Sequence, residues 1–486
     1  MPDYTITYRV HEADGSSATY SVQIAGAISG DAAVEQAVPL MRNAAGERAH
    51  EVISVIPTSD AVPAPAYSPP IVQAPIRGSQ LLSYATLPHR SISNLASNST
   101  SHHVVALETD YDLVRIALIK DTAGTQSFPS VTVAPTADVN AAGNYAPIDE
   151  NGDPVSWTHV TWDSAGEASD PLLTVNGTTE AVTVPEPVAN AGDAQQVVFD
   201  YYWSDWIRVR SIPRADGSRL PLLAIRVYNP ADQTARCLMG AGTDWEPVNR
   251  GRIWLGVRAG GDHTEAAEMP ANTTITGQWL AAYIQTYTSR RGVTLMGVGD
   301  SLTQGLNTTN DTNSWGHIAR DLLSTATRPV TWCNEGHGGS LSENYYRRAR
   351  ALIPVLKPHI VVYSPWSPND GVSSAATLDL VWSRGMDFMG WLQSQGIQPV
   401  IFGPARWYPA NSSNEAMRQR IVQRVNEIEA NGDVPVLNVD RITALAGTTD
   451  TPDPRWIIGG GNTHFNDAGN ALLGQALAAL IEPMLR

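Results

Sequence analysis

The sequence predicts a doubly wound α/β domain over residues 291–486, preceded by an all-β region. Three observations carry that prediction. From Val293 onward, apolar β-favouring runs alternate with stretches whose apolar residues recur at helical spacing. Before it, over residues 81–290, short alternating strands follow one another between Gly, Asn, Asp and Pro, with almost no helical periodicity. Finally, the first strand of the C-terminal part breaks at Gly299-Asp300-Ser301. A strand that ends on a serine places a hydroxyl at the carboxyl edge of its sheet, where open α/β sheets keep their ligands.

In chain order, residues 1–57 read as a small ββαβ module. Strands are predicted at Thr5–Val10, Thr19–Ile24 and Glu51–Ile56, with a helix over Asp31–Arg42 capped by Asp31. The module carries no chemistry, and its expected role is docking or oligomerisation. Residues 58–80 form a linker rich in Pro and Ala, a composition that stays stiff and extended. The spaced strands of residues 81–290, among them Leu113–Ile119 and Leu222–Tyr228, predict a β-sandwich or jelly roll. Trp157, Trp162, Trp203 and Trp206 could bind sugar there or fill the core, and core filling is the commoner use of an aromatic.

In residues 291–486, strands are expected at Val293–Val298, Pro329–Cys333, Ile360–Tyr363, Pro399–Phe402 and Val434–Val439. Helices follow at Trp315–Ala326, Ser342–Leu356, Ala375–Gln395, Asn414–Ala430 and Asp467–Leu485. Ser340-Leu341-Ser342-Glu343 and Ser412-Ser413-Asn414-Glu415 read as capping boxes. Five strands alternating with helices close into a parallel sheet through right-handed crossovers.

Composition narrows the partners. A formal charge of −16 disfavours nucleic acid and anionic membranes, since both select basic surfaces. Only two cysteines are present, too few for a disulfide framework. No apolar run approaches the ~20 residues of a membrane-spanning helix, and Met1-Pro2-Asp3-Tyr4 does not open a signal peptide. The compartment is not assigned; extracellular and virion-associated locations are among those the sequence allows. His102-His103 has no carboxylate or cysteine at ligand spacing, so no metal or other cofactor is assigned.

Acyl transfer needs a nucleophile, a base and donors aimed at the oxyanion. Ser301 follows the first strand. Asn334-Glu335-Gly336-His337-Gly338-Gly339-Ser340 follows the second, a glycine-dense turn that exposes backbone N–H groups. Ser367-Pro368-Asn369-Asp370-Gly371 follows the third, and Asn462-Thr463-His464-Phe465-Asn466 follows the fifth. Singly these are ordinary turns; in succession along one sheet they supply a complete acyl-transfer set.

The C-terminal ~190 residues resemble the SGNH, or GDSL-type, hydrolases, a family of esterases and lipases. Gly299-Asp300-Ser301-Leu302 matches the first block, Asn334 and Gly339 the second, Asn369-Asp370 the third, and His464 with Asn466 the last. The resemblance implies a flavodoxin-like three-layer fold. Ser301 becomes the nucleophile and His464 the general base, with oxyanion donors from Ser301, Gly339 and Asn369. Two positions depart from the family pattern. Ser367 stands where glycine begins the third block, and Gly461 stands where an aspartate precedes the histidine. The missing acid leaves three readings: a Ser-His dyad, a substitute acid with Asp453 the best candidate, or an inactive site. A β-sandwich ahead of such a domain resembles two-domain carbohydrate acetyl esterases. The expected function is therefore hydrolysis of short acyl esters on carbohydrate through an acyl-Ser301. Expected substrates are an acetylated polysaccharide or a small ester, with Trp366, Trp407 and His337 as candidate substrate contacts. Residues 1–57 would serve a homo-oligomer or attachment to a larger assembly. The alternative is a structural or adhesive appendage, such as a surface or virion fibre component, that binds carbohydrate with little turnover.

Overall fold

The structure is a computed structural model. It describes residues 4–11, 17–24, 50–57, 80–85, 91–120, 126–138, 145–162, 173–175, 200–215, 217, 220–232, 235–239, 254–271, 273–275, 278–288, 290–309, 311–372, 374–406, 412–448, 451–458 and 464–485. The chain divides into two compact units. One is built on residues 1–68, and the other runs from 69 to 486 apart from 431–433.

The first unit holds a three-stranded antiparallel sheet. Its central strand, Tyr4–His11, pairs with Ser17–Ile24 on one side and His50–Pro57 on the other. The helix expected at Asp31–Arg42 lies outside the described residues.

The second unit begins with antiparallel sheets. A six-stranded sheet centres on Leu222–Asn229 and Ser99–Ala106, and a second centres on Leu113–Lys120 and Ala281–Thr288. The strand Gln80–Ala85 pairs with Ala281–Thr288, so the two ends of this region close on each other. Every residue of Ser99–Ala106 is buried, the polar Ser99 to His103 included. Arg226 shows why that is tolerated. Its buried guanidinium donates to His102 Nδ1 at 3.1 Å and to the carbonyls of His263, Ala266 and Tyr145 at 2.8, 2.5 and 3.0 Å. It also lies 4.2 Å above the Trp157 ring. The aromatics that sequence offers as sugar platforms are engaged in packing. Trp162 is buried, and Arg115 lies between Trp203 and Trp206 at 4.8 and 4.9 Å.

The rest of the second unit is a five-stranded parallel sheet: β1 (Val293–Gly299), β2 (Val330–Gly336), β3 (Ile360–Tyr363), β4 (Gln398–Phe402) and β5 (Val436–Leu437). The strand order is β2-β1-β3-β4-β5, all parallel. The order reverses at β1, so the topological switch point falls where Ser301 stands. Connecting helices are α1 (Ser301–Gln304), α2 (Trp315–Leu323), α3 (Ser342–Leu356), α4 (Ala375–Ser394), α5 (Ser412–Asn431), α6 (Val439–Ile442) and α7 (Asp467–Ile481). β1 and β2 are buried along their whole length, as strands covered on both faces must be. The core between them and α2 is led by Trp315 and Trp332, whose rings meet edge-on at 5.1 Å.

One expectation fails in detail. α3 opens without a side-chain cap from its own sequence. Instead Asp370, from the loop after β3, accepts the Ser342 N–H at 2.8 Å. A capping box does form, but at Ser367–Asp370, around the 3-10 turn Pro368–Asp370.

The antiparallel region is not a detached attachment. Glu108 reaches Arg320 of α2 at 3.5 Å and accepts the Ser324 hydroxyl at 3.2 Å, with Glu108 and Arg320 both buried. Gln285 donates to the carbonyl of Val355 in α3 at 2.9 Å.

Candidate active site

Ser301 opens α1, the single turn that follows β1. Asp300 caps that turn, its Oδ1 accepting the Leu302 N–H at 2.9 Å. Two further contacts hold the turn against the sheet. The indole of Trp315 donates to the Leu302 carbonyl at 2.9 Å, and the Asn334 amide donates to the Gln304 carbonyl at 3.3 Å. Gly336, at the end of β2, allows the close approach: a Cβ there would lie 2.0 Å from the Gln304 nitrogen.

His464 comes to Ser301 from the loop before α7, with Nε2 at 2.8 Å from Ser301 Oγ. Its backbone is pinned at its own carbonyl and at the next residue. The His464 carbonyl accepts from Ile458 N–H at 3.1 Å, and Phe465 bridges Ile457. Asn466 caps α7 by accepting the Gly469 N–H at 2.9 Å, while its amide donates to the Arg455 and Ile457 carbonyls at 2.9 and 3.2 Å. Burial holds the His464 pKa below the ordinary histidine value, which favours the neutral ring that can accept a proton. For Ser301 Oγ–H to donate to Nε2, that ring must carry its proton on Nδ1.

Residues 337–340 form a turn closed by Ser340 N–H donating to the His337 carbonyl at 3.2 Å, with Gly339 at φ +74°. A positive φ at the third position is the mark of a type II turn, and it favours glycine there. The closing bond does not use the Gly339 N–H. The turn lies against the nucleophile, since a Cβ on Gly338 would be 3.8 Å from Ser301 Cβ. The Asn369 amide donates to the Ser340 carbonyl at 3.3 Å, next in sequence to Gly339.

Other candidates fall elsewhere. Both carboxylate oxygens of Asp453 are taken by Arg455, from Nε at 3.0 Å and from the terminal NH2 at 2.5 Å, rather than by His464. The Asp453 pKa is lowered chiefly by those bonds. Trp366 is 3% exposed and turned into the protein, unsuited to stacking on a substrate ring. His337 is equally buried, its Nε2 3.9 Å from Glu335. Trp407 and Gly461 lie outside the described residues. Sequence reasoning missed Ser367, whose hydroxyl donates to Asp300 Oδ2 at 2.6 Å. Its signal was present in Ser367-Pro368-Asn369-Asp370, a capping-box pattern in its own right.

A serine hydroxyl bonded to a histidine at the carboxyl edge of a parallel sheet is the arrangement used by α/β serine hydrolases. Residues 298–472 match the model of the GDSL-like Lipase/Acylhydrolase family, and the C-terminal part of the chain is a domain of that family of hydrolases. A search of curated proteins finds no match. Similar solved structures include the lipase/acylhydrolase from Enterococcus faecalis, 19% identical over 39% of this chain and 95% of that one, with TM-score 0.32. A two-domain esterase active on acetylated mannans, co-crystallised with mannopentaose, is 18% identical over 40% of this chain and 50% of its own, with TM-score 0.30. The acetyl xylan esterase AlAXEase is 18% identical over 38% of this chain and 98% of its own, with TM-score 0.31.

Proposed function

We propose that the C-terminal domain is a serine esterase that removes short acyl groups, acetyl foremost, from carbohydrate. The 2.8 Å contact between His464 Nε2 and Ser301 Oγ carries the reading. His464 takes the hydroxyl proton as Ser301 Oγ attacks the ester carbonyl. The Ser301 and Gly339 N–H groups and the Asn369 amide receive the oxyanion. His464 then protonates the departing alcohol oxygen, leaving an acyl-Ser301. Water repeats the cycle in reverse, with His464 as base, and releases the carboxylic acid. Ser301 and His464 work as a dyad, because the carboxylate of Asp453 is committed to Arg455. The preference for carbohydrate rests on layout: an antiparallel β region, read as a β-sandwich, stands ahead of the esterase domain and packs against it through Glu108 and Arg320. Residues 1–57 are read as a docking module for the assembly that carries the enzyme.

The test is release of acetate from an aryl acetate and from a panel of acetylated polysaccharides, compared with Ser301→Ala. Turnover by the wild type and its loss in the variant is the expected result, by about 10⁴-fold or more. Undiminished hydrolysis by Ser301→Ala sinks the assignment. Aryl acetate turnover with no acetate released from any polysaccharide sinks only the carbohydrate part.

A further inference from the structure

Beside Ser301, one buried hydroxyl has its whole hydrogen-bonding capacity in use. Ser367 donates its proton to Asp300 Oδ2 at 2.6 Å and accepts from the Asn369 backbone N–H at 3.2 Å and from Asn369 Nδ2 at 3.0 Å. A hydroxyl has one proton and two lone pairs, so nothing remains for water or for another side chain. The carboxylate that receives the proton belongs to the residue before the nucleophile. The amide that donates belongs to the side chain read as an oxyanion donor. The same hydroxyl caps the surrounding 3-10 turn, and the other half of that box is the Ser367 N–H, held by Asp370 Oδ2 at 2.7 Å. Asn369 Nδ2 carries two protons. One goes to Ser367, and the other points at the Ser340 carbonyl over 3.3 Å, a long bond adjoining the glycine turn.

We propose that Ser367 is a positioning residue: its hydroxyl, held by Asp300, fixes the Asn369 carboxamide so that one amide proton stays on Ser367 while the other, resting on the Ser340 carbonyl beside the glycine turn, exchanges that long bond for one to the oxyanion. This rests on the esterase reading above. The terminal torsion of an asparagine is broad and roughly two-fold, so without a fixed acceptor the amide samples orientations in which no proton faces the site. A donor that must be reoriented during the reaction loses the advantage of preorganisation. Ser367 departs from the glycine found at this position in the resembling family, and a glycine could not supply this acceptor.

Removing a residue that merely capped the 3-10 turn would lower the melting temperature and leave turnover alone. Kinetics of Ser367→Ala and Ser367→Thr on an aryl acetate, with thermal melts, separate the two roles. The backbone at Ser367, φ −121° and ψ 142°, suits either residue. Expected is a fall in kcat of about 10- to 100-fold in Ser367→Ala with KM nearly unchanged, somewhat less than the loss of a whole oxyanion donor. Ser367→Thr should recover most of it. In an Asn369→Ala background, Ser367→Ala should cost little more, since the two act as one unit. Ser367→Gly gives the same readout should the alanine variant fail to fold. A kcat within twofold of wild type in a folded variant, or full additivity with Asn369→Ala, overturns the proposal alone. A wild type that turns over no ester overturns it together with the esterase reading.

Discussion

His464 and Asp300 sit within one site, and burial moves them in opposite senses. Burial lowers the pKa of His464. Asp300 is pushed up to about 6, chiefly by burial and against the hydrogen bonds from Ser367 and Leu302. A protonated imidazole cannot accept the Ser301 proton, so kcat/KM must fall as pH drops through the His464 pKa. The acid limb of a kcat/KM profile on an aryl acetate is therefore expected to have its midpoint below about 6.5, the ordinary histidine value. A midpoint above 7 would contradict the burial argument. The same shifts act on stability with opposite signs. Between the folded pKa of His464 and about 6.5 the unfolded chain binds more protons, so the contribution of His464 to stability falls as pH falls. Between about 4 and 6 the folded chain binds more protons at Asp300, so its contribution falls as pH rises. Removing His464 by substitution with alanine should leave the Asp300 slope standing, a difference readable in urea midpoints across that pH range.

At the scale of elements, α1 is the part on which the site depends, and its seat is made by Gly336. A methyl group there meets the Gln304 backbone at 2.0 Å, which only a shift of α1 can relieve. Gly336→Ala is expected to lower kcat/KM by about 100-fold, the order associated with a misplacement of about 1 Å. Steady-state kinetics on a folded variant check this, and unchanged turnover would show that α1 is not held by that contact. The five parallel strands were legible because each is an apolar run bounded by turn residues, and the helices because their periodicity is long. The strand order was not legible, because a switch at β1 depends on which crossovers lie on which face. Capping by Asp370 was hidden for a related reason. It reaches α3 from 28 residues away, whereas a capping box is a local pattern. Ser301 and His464 stood out because each follows a strand. Ser367 also follows a strand, but its role did not stand out, because its partners Asp300 and Asn369 meet only in the folded sheet edge.

For the second unit as a whole, the question is whether the antiparallel region and the parallel-sheet domain unfold together. Two buried charges, Glu108 and Arg320, join them at 3.5 Å. Burial lowers the Arg320 pKa, a cost opposed by Asp321 beside it. Removing one member of a buried pair strands the other in a medium that solvates it poorly, at a cost of about 3–5 kcal/mol. Replacing both by apolar residues of similar size avoids the stranded charge and is often close to neutral. Arg320→Ala should therefore lower the urea midpoint sharply, Glu108→Ala less because Asp321 still pairs with Arg320 at 3.0 Å, and Glu108→Leu combined with Arg320→Met should recover most of the loss. The domains also share Gln285 bonded to Val355, and strand Gln80–Ala85 pairs with Ala281–Thr288, which leads directly toward β1. With such continuity, tryptophan fluorescence, which reports the antiparallel region through Trp157 and Trp162 and the parallel-sheet core through Trp315 and Trp332, should show one transition that coincides with far-ultraviolet circular dichroism. Two separated transitions in the wild type would mean that Glu108 and Arg320 join domains whose stabilities are independent. Coincidence in the wild type with separation in Arg320→Ala would place the coupling in this ion pair.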